Sequence, residues 1–186
     1  SPSDRLPGQW ADTAPADFYD GRVLFHGPEL HAITALRSLD KSGIDGLVRS
    51  APPPDAWLRQ PWRSSWVTDP MVLDGSFQLM VIWCLEYLGA HSLPTRIARY
   101  RQYTRRFPSD GVIVQCTIDK ASTHRVVADI GYFGSDGTLL ATAHGYECVV
   151  DQSLARAYMS RSLPPVAGSD VAGADLGAAA PGQGDD

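Results

Sequence analysis

Alternation of apolar and polar positions divides this chain into one long helix and a set of strands. The runs "HAITALRSLD" (31–40) and "GIDGLVRS" (43–50) read as strands meeting at Lys41-Ser42-Gly43, a hairpin turn. "RIARYRQYTRRF" (96–107) and "VIVQCTIDK" (112–120) alternate in the same way. "HRVVADIGYF" and "TLLATAHGYECVV" flank Ser135-Asp136-Gly137 as the clearest hairpin. "VLFH" (23–26) is a short strand or loop edge closed by Gly27-Pro28, and four prolines should keep 51–66 irregular. Asp69 before Pro70 is a helix start, Gly89 a helix stop, and the residues between are apolar on nearly every side. One buried helix followed by antiparallel strands predicts an α+β fold in which the sheet wraps the helix.

That helix carries three residues out of keeping with burial: Asp74, Gly75 and Gln78, in "DPMVLDGSFQLMVIW" (69–83). Asp74 lies too far in to cap the helix. Among Leu73, Phe77 and Leu79, an ionised and unpaired carboxylate costs several kcal/mol, or else its pKa rises until it is protonated. A protonated carboxyl group in an apolar pocket is what general acid catalysis near neutral pH requires. Gln78, four residues on, shares its face and could orient the acid or bind the departing water. Gly75 costs about 1 kcal/mol against alanine in a helix, but admits close approach by another chain or a ligand. The residues alone leave Asp74 open to a structural reading, paired with an arginine distant in sequence.

"DPMVLDGSFQ", preceded by "LFHGPEL" (24–30) and followed by Leu93-Pro94, resembles the dehydratase domains of polyketide synthases and of polyunsaturated fatty acid synthases. The resemblance implies a hotdog fold, a long helix wrapped by an antiparallel sheet, in a family built as two tandem hotdogs. The second hotdog of that family has Tyr-Gly-Pro-x-Phe, then Asp-x-x-x-Gln or Asp-x-x-x-His, then Leu-Pro. Here these fall on His26-Gly27-Pro28-Glu29-Leu30, on Asp74 with Gln78, and on Leu93-Pro94. In the family a first-hotdog histidine removes the α-proton of a 3-hydroxyacyl thioester, and the aspartate protonates the leaving hydroxyl. The resemblance therefore makes Asp74 and Gln78 catalytic and places His26, Gly27, Pro28, Gly75, Leu93 and Pro94 along the substrate. The family's His-x-x-x-Gly-x-x-x-x-Pro motif is absent, so the chain looks like the C-terminal hotdog alone. Its implied partners are acyl carrier protein, whose phosphopantetheine carries the substrate, and an upstream N-terminal hotdog with the missing histidine, or a second copy. The elimination needs no metal or redox cofactor. A non-catalytic acyl-binding or assembly hotdog and a hotdog thioesterase are the alternatives.

None of the five histidines replaces that base convincingly. His26 reads mainly as pocket lining, His31 as structural, His91 as solvated in the loop after the helix, and His124 and His144 as strand residues. None has metal-ligand spacing. Trp57, Trp62 and Trp66 should cover one end of the helix or, alternatively, line an acyl tunnel.

Composition adds limits. A net charge of −5 carries no footprint for nucleic acid. The basic group Arg96, Arg99, Arg101, Arg105 and Arg106 reads as a solvated strand face. Three unevenly spaced cysteines fit buried thiols in a reducing, cytoplasmic setting. Asp74 and Gln78 interrupt the helix, so no membrane span is expected. Residues 1–17 read as linker, 18–158 as one hotdog domain, and 159–186 as a disordered Ala/Gly/Pro-rich linker.

Overall fold

The computed structural model describes residues 14–159, and most of the two expected linkers lie outside them. A 3-10 helix, Pro15–Tyr19, opens the described chain inside the 1–17 stretch, and it buries Phe18 and Tyr19. Strands β1 (Ile33–Asp40) and β2 (Gly43–Val48) follow, then helices α1 (Pro54–Trp57) and α2 (Pro70–Leu88). After them come β3 (His91–Gln102), β4 (Val112–Ala121), β5 (Arg125–Phe133), β6 (Leu139–Asp151) and α3 (Leu154–Met159). Paired strands are antiparallel, in the six-stranded order β1-β2-β4-β5-β6-β3.

The predicted helix forms with its predicted ends. Asp69 Oδ1 accepts the Met71 and Val72 amides, and proline holds the first helical position, where a missing N–H costs nothing. Gly89 closes the helix at φ 65°, a left-handed conformation that glycine adopts without strain. Gln78–Cys84 is buried without interruption, about two turns, so this part of α2 faces protein on every side. α2 is long and apolar enough to cross a membrane (hydropathy 1.3), but its apolar surface is taken up by β1, β2, β3 and β4. Cys84, Cys116 and Cys148 are free thiols in this core.

Local expectations fail where no periodicity exists to read. The Pro-rich segment is not wholly irregular: Pro54 starts one turn of helix, as proline at a first helical position can. β3 begins at His91 rather than Arg96, so the loop after α2 is shorter than expected. Arg96, Arg99 and Arg101 are exposed on this edge strand, where charge discourages unwanted pairing.

Candidate active site

Asp74 and Gln78 lie one turn apart on α2, and their side chains meet. Gln78 is fully buried, and its Nε2 donates to Asp74 Oδ2 (2.7 Å) and to the Leu30 carbonyl (2.8 Å). Gln78 Oε1 accepts from the Tyr19 hydroxyl at 2.7 Å, and that hydroxyl accepts from the Ile33 amide at 2.8 Å. A fully buried amide with three satisfied bonds is locked in place. Asp74 itself is less enclosed than expected, its side chain being 35% exposed. The carboxyl group thus sits at the rim of a buried polar network rather than within the core, and Oδ1 has no partner among the described residues.

The loop after the first 3-10 helix supplies the other wall. His26 is 9% exposed, stacks on Phe25 at 4.4 Å, and holds Nε2 3.5 Å from Asp74 Oδ2. Its Nδ1 is buried with no partner among the described residues. Burial lowers the His26 pKa below its ordinary value of 6.5, against the pull of Asp74, and His31 adds to the lowering. With Nε2 turned to Asp74 and Nδ1 enclosed, His26 presents no open nitrogen to a substrate proton. His31 donates to the His26 carbonyl (3.2 Å) and stacks on Tyr19 (3.9 Å). Arg49, just past β2, donates to the carbonyls of His31 (2.6 Å), Glu29 (3.0 Å) and Pro28 (3.4 Å). One guanidinium fork thus ties Gly27-Pro28 and the residues after it to the sheet. Leu30, bonded to Gln78, connects that loop to Asp74.

Gly75 packs inside the fold, while Leu93 and Pro94 lie at the surface. Gly75 does admit a close approach, but by this chain: a Cβ there would overlap a Val48 methyl and lie 2.9 Å from the Ala32 Cβ. It is a packing glycine. Leu93 and Pro94 are exposed on β3, paired with Val149 and Cys148, and among the described residues no hydrogen bond or ion pair ties them to Asp74. His91 is buried in β3 and donates to the Arg22 carbonyl (2.7 Å), not solvated as its neighbours suggested. His124 lies in the β4–β5 turn, and His144, on β6, pairs with Asp129 (3.1 Å). Trp57 and Trp66 pack together near the start of α2 (5.9 Å), whereas Trp62 is fully exposed and covers nothing. A cavity of ≈ 190 Å³ beside Trp66 and Asp69 includes none of His26, Asp74 and Gln78 in its walls. Among the described residues no cluster of three or more His, Cys, Asp or Glu could hold a metal.

Sequence reasoning missed Tyr19 and Arg49. Tyr19 sits in a stretch with no periodicity, and its partner Gln78 is 59 residues away. Arg49 follows a strand and looks like an ordinary solvated end.

Comparison with known proteins identifies the family and the fold. The family described as "Polyketide synthase dehydratase N-terminal domain" matches residues 1–155. One of the polyunsaturated fatty acid synthase polypeptides of Thraustochytrium is 37% identical over 92 residues, 50% of this chain and 3% of that protein. The dehydratase domain from the CurJ module of curacin polyketide synthase superposes with a TM-score of 0.59 at 16% identity, covering 80% of this chain and 50% of that one. The dehydratase domain of PpsC from Mycobacterium tuberculosis, solved in complex with C12:1-CoA, gives 0.57 at 22% identity, covering 75% and 52%. These structures carry the hotdog fold, and this chain spans about half the length of each. The chain belongs to the polyketide synthase dehydratase family.

Proposed function

We propose that this chain is the acid-bearing, C-terminal hotdog of a dehydratase in a polyketide or polyunsaturated fatty acid synthase. The observation that carries the reading is Asp74, gripped at Oδ2 by a locked Gln78 while a third of its side chain faces outward. The family description names an N-terminal domain. The C-terminal placement rests instead on the order of the Gly27-Pro28, Asp74-Gln78 and Leu93-Pro94 motifs, and on the lack of an open histidine beside Asp74.

The substrate is a 3-hydroxyacyl thioester carried on the phosphopantetheine of acyl carrier protein. A histidine from an upstream hotdog, or from another chain, removes the α-proton. The electron pair forms the carbon–carbon double bond, the bond to the 3-hydroxyl breaks, and Asp74 protonates the departing oxygen, releasing water. An acid, a base and a polarised thioester suffice, with no metal or redox cofactor, and the setting is cytoplasmic.

Asp74→Asn in the complete enzyme tests this. Shape is kept and the transferable proton is lost, so dehydration should fall at least about a hundredfold, within the usual contribution of general acid catalysis. Turnover close to wild type, with a native circular dichroism spectrum, would make Asp74 structural. Release of free acid instead of enoyl thioester would point to a thioesterase.

A further inference from the structure

Leu30 offers Gln78 only a carbonyl oxygen, so the Gln78 atom facing it must be the Nε2 donor. The Tyr19 hydroxyl already accepts the Ile33 amide, so its own proton is free to go to Gln78 Oε1. The bonds therefore run one way, from Ile33 through Tyr19 and Gln78 to Asp74 Oδ2. Turning the amide over would set Oε1 against the Leu30 carbonyl and the carboxylate and leave the Tyr19 hydroxyl proton without its acceptor. An Oδ2 that accepts from Gln78 is a poor place for the carboxyl proton.

The geometry points to Tyr19 as a positioning residue that, together with the Leu30 carbonyl, holds Gln78 as a donor to Asp74 Oδ2 and leaves Oδ1 as the oxygen free for proton transfer. This rests on the dehydratase reading for its use, though not for its geometry. Burial pushes the Tyr19 hydroxyl up to about 12, so it stays a donor across the working range. Tyr19 never meets substrate in this scheme; it acts through Gln78.

The first test needs no activity. Tyr19→Phe keeps the ring that stacks on His31 and removes only the hydroxyl. In the ¹⁵N-labelled chain, solvent exchange of the Gln78 side-chain amide, assigned by its loss in Gln78→Leu, is measured relative to β4 backbone amides. Tyr19→Phe should speed it about tenfold, the equivalent of one hydrogen bond. Unchanged relative exchange would overturn the proposal, and because backbone amides are the reference, a general loss of stability does not count. The second test uses the complete synthase. There Tyr19→Phe should lower kcat about tenfold with KM unchanged, and cost nothing further in a Gln78→Leu background. An equal loss in both backgrounds would show that Tyr19 does not act through Gln78. If Asp74→Asn alone leaves turnover intact, the dehydratase reading fails, and amide exchange still decides the role of Tyr19.

Discussion

A histidine beside a carboxylate usually gains a proton more readily; His26 does the opposite, because burial outweighs the attraction of Asp74. With its folded pKa below the ordinary 6.5, the unfolded chain takes up the proton first as pH falls. The stability tied to neutral His26 is thus complete above about pH 6.5 and is lost as pH drops from there toward the folded value. The urea midpoint should fall between pH 7 and pH 5, and fall less in His26→Phe; equal slopes would mean that other groups titrate. Gly75 sets a second pair of effects in competition. Alanine would gain about 1 kcal/mol of helix propensity, but its methyl would overlap Val48 and crowd Ala32. Overpacking typically costs about 1–3 kcal/mol. Both neighbours are anchored, Val48 in a paired strand, so the cost should fall toward the upper end and Gly75→Ala should be net destabilising by up to about 2 kcal/mol in equilibrium unfolding. A neutral or stabilising result would show that the interface can yield.

At the level of elements, α2 was readable because its signals are local. Asp69, Pro70, Gly89 and a run of apolar side chains specify start, stop and burial within one stretch of chain. The hairpins at Lys41-Ser42 and around Asp136 were readable for the same reason, through turn chemistry between alternating runs. The start of the chain and the route to Asp74 were not. Tyr19, His26 and Leu30 lie in segments without period, and their meaning depends on a helix tens of residues away. Asp74 and Gln78 stood out only because polar residues interrupt an apolar pattern, and that pattern could not say that Asp74 sits at the rim. The cap of α2 also reaches beyond its own helix: Asp69 accepts from Met71 and Val72 and from Ala51, which precedes α1. Removing it exposes a lost cap, about 0.5–2 kcal/mol, and buried amides left without partners, about 1–3 kcal/mol. Asp69→Ala should therefore cost about 2–3 kcal/mol. Burial raises the Asp69 pKa, so its charge is itself a burden in the fold, and Asp69→Asn, which keeps the acceptor without the charge, should cost under about 1 kcal/mol. Similar losses in the two variants would indicate that the charge, not the acceptor, holds this corner.

For the whole molecule, the described site is chemically one-sided. Asp74 is held at Oδ2 with about a third of its side chain exposed, while His26 beside it has Nε2 3.5 Å from Asp74 and Nδ1 enclosed. The chain spans about half the length of the dehydratase structures it resembles. Under the proposed function, the chain alone lacks the base. A general base typically contributes about 10²–10⁴-fold, and an acid without it gains little. Pairing with a second copy would bring together two aspartates and two enclosed histidines, so self-association should not restore turnover. The chain should therefore form enoyl thioester from a 3-hydroxyacyl thioester at least about a hundredfold more slowly than an enzyme that also contains the histidine-bearing hotdog. Adding that hotdog in trans, or fusing it ahead of residue 1, should recover the rate, and Asp74→Asn should abolish the recovery. Robust turnover by the chain alone would remove the need for a second half, and His26 would then have to turn its Nε2 from Asp74 to the substrate and serve as the base.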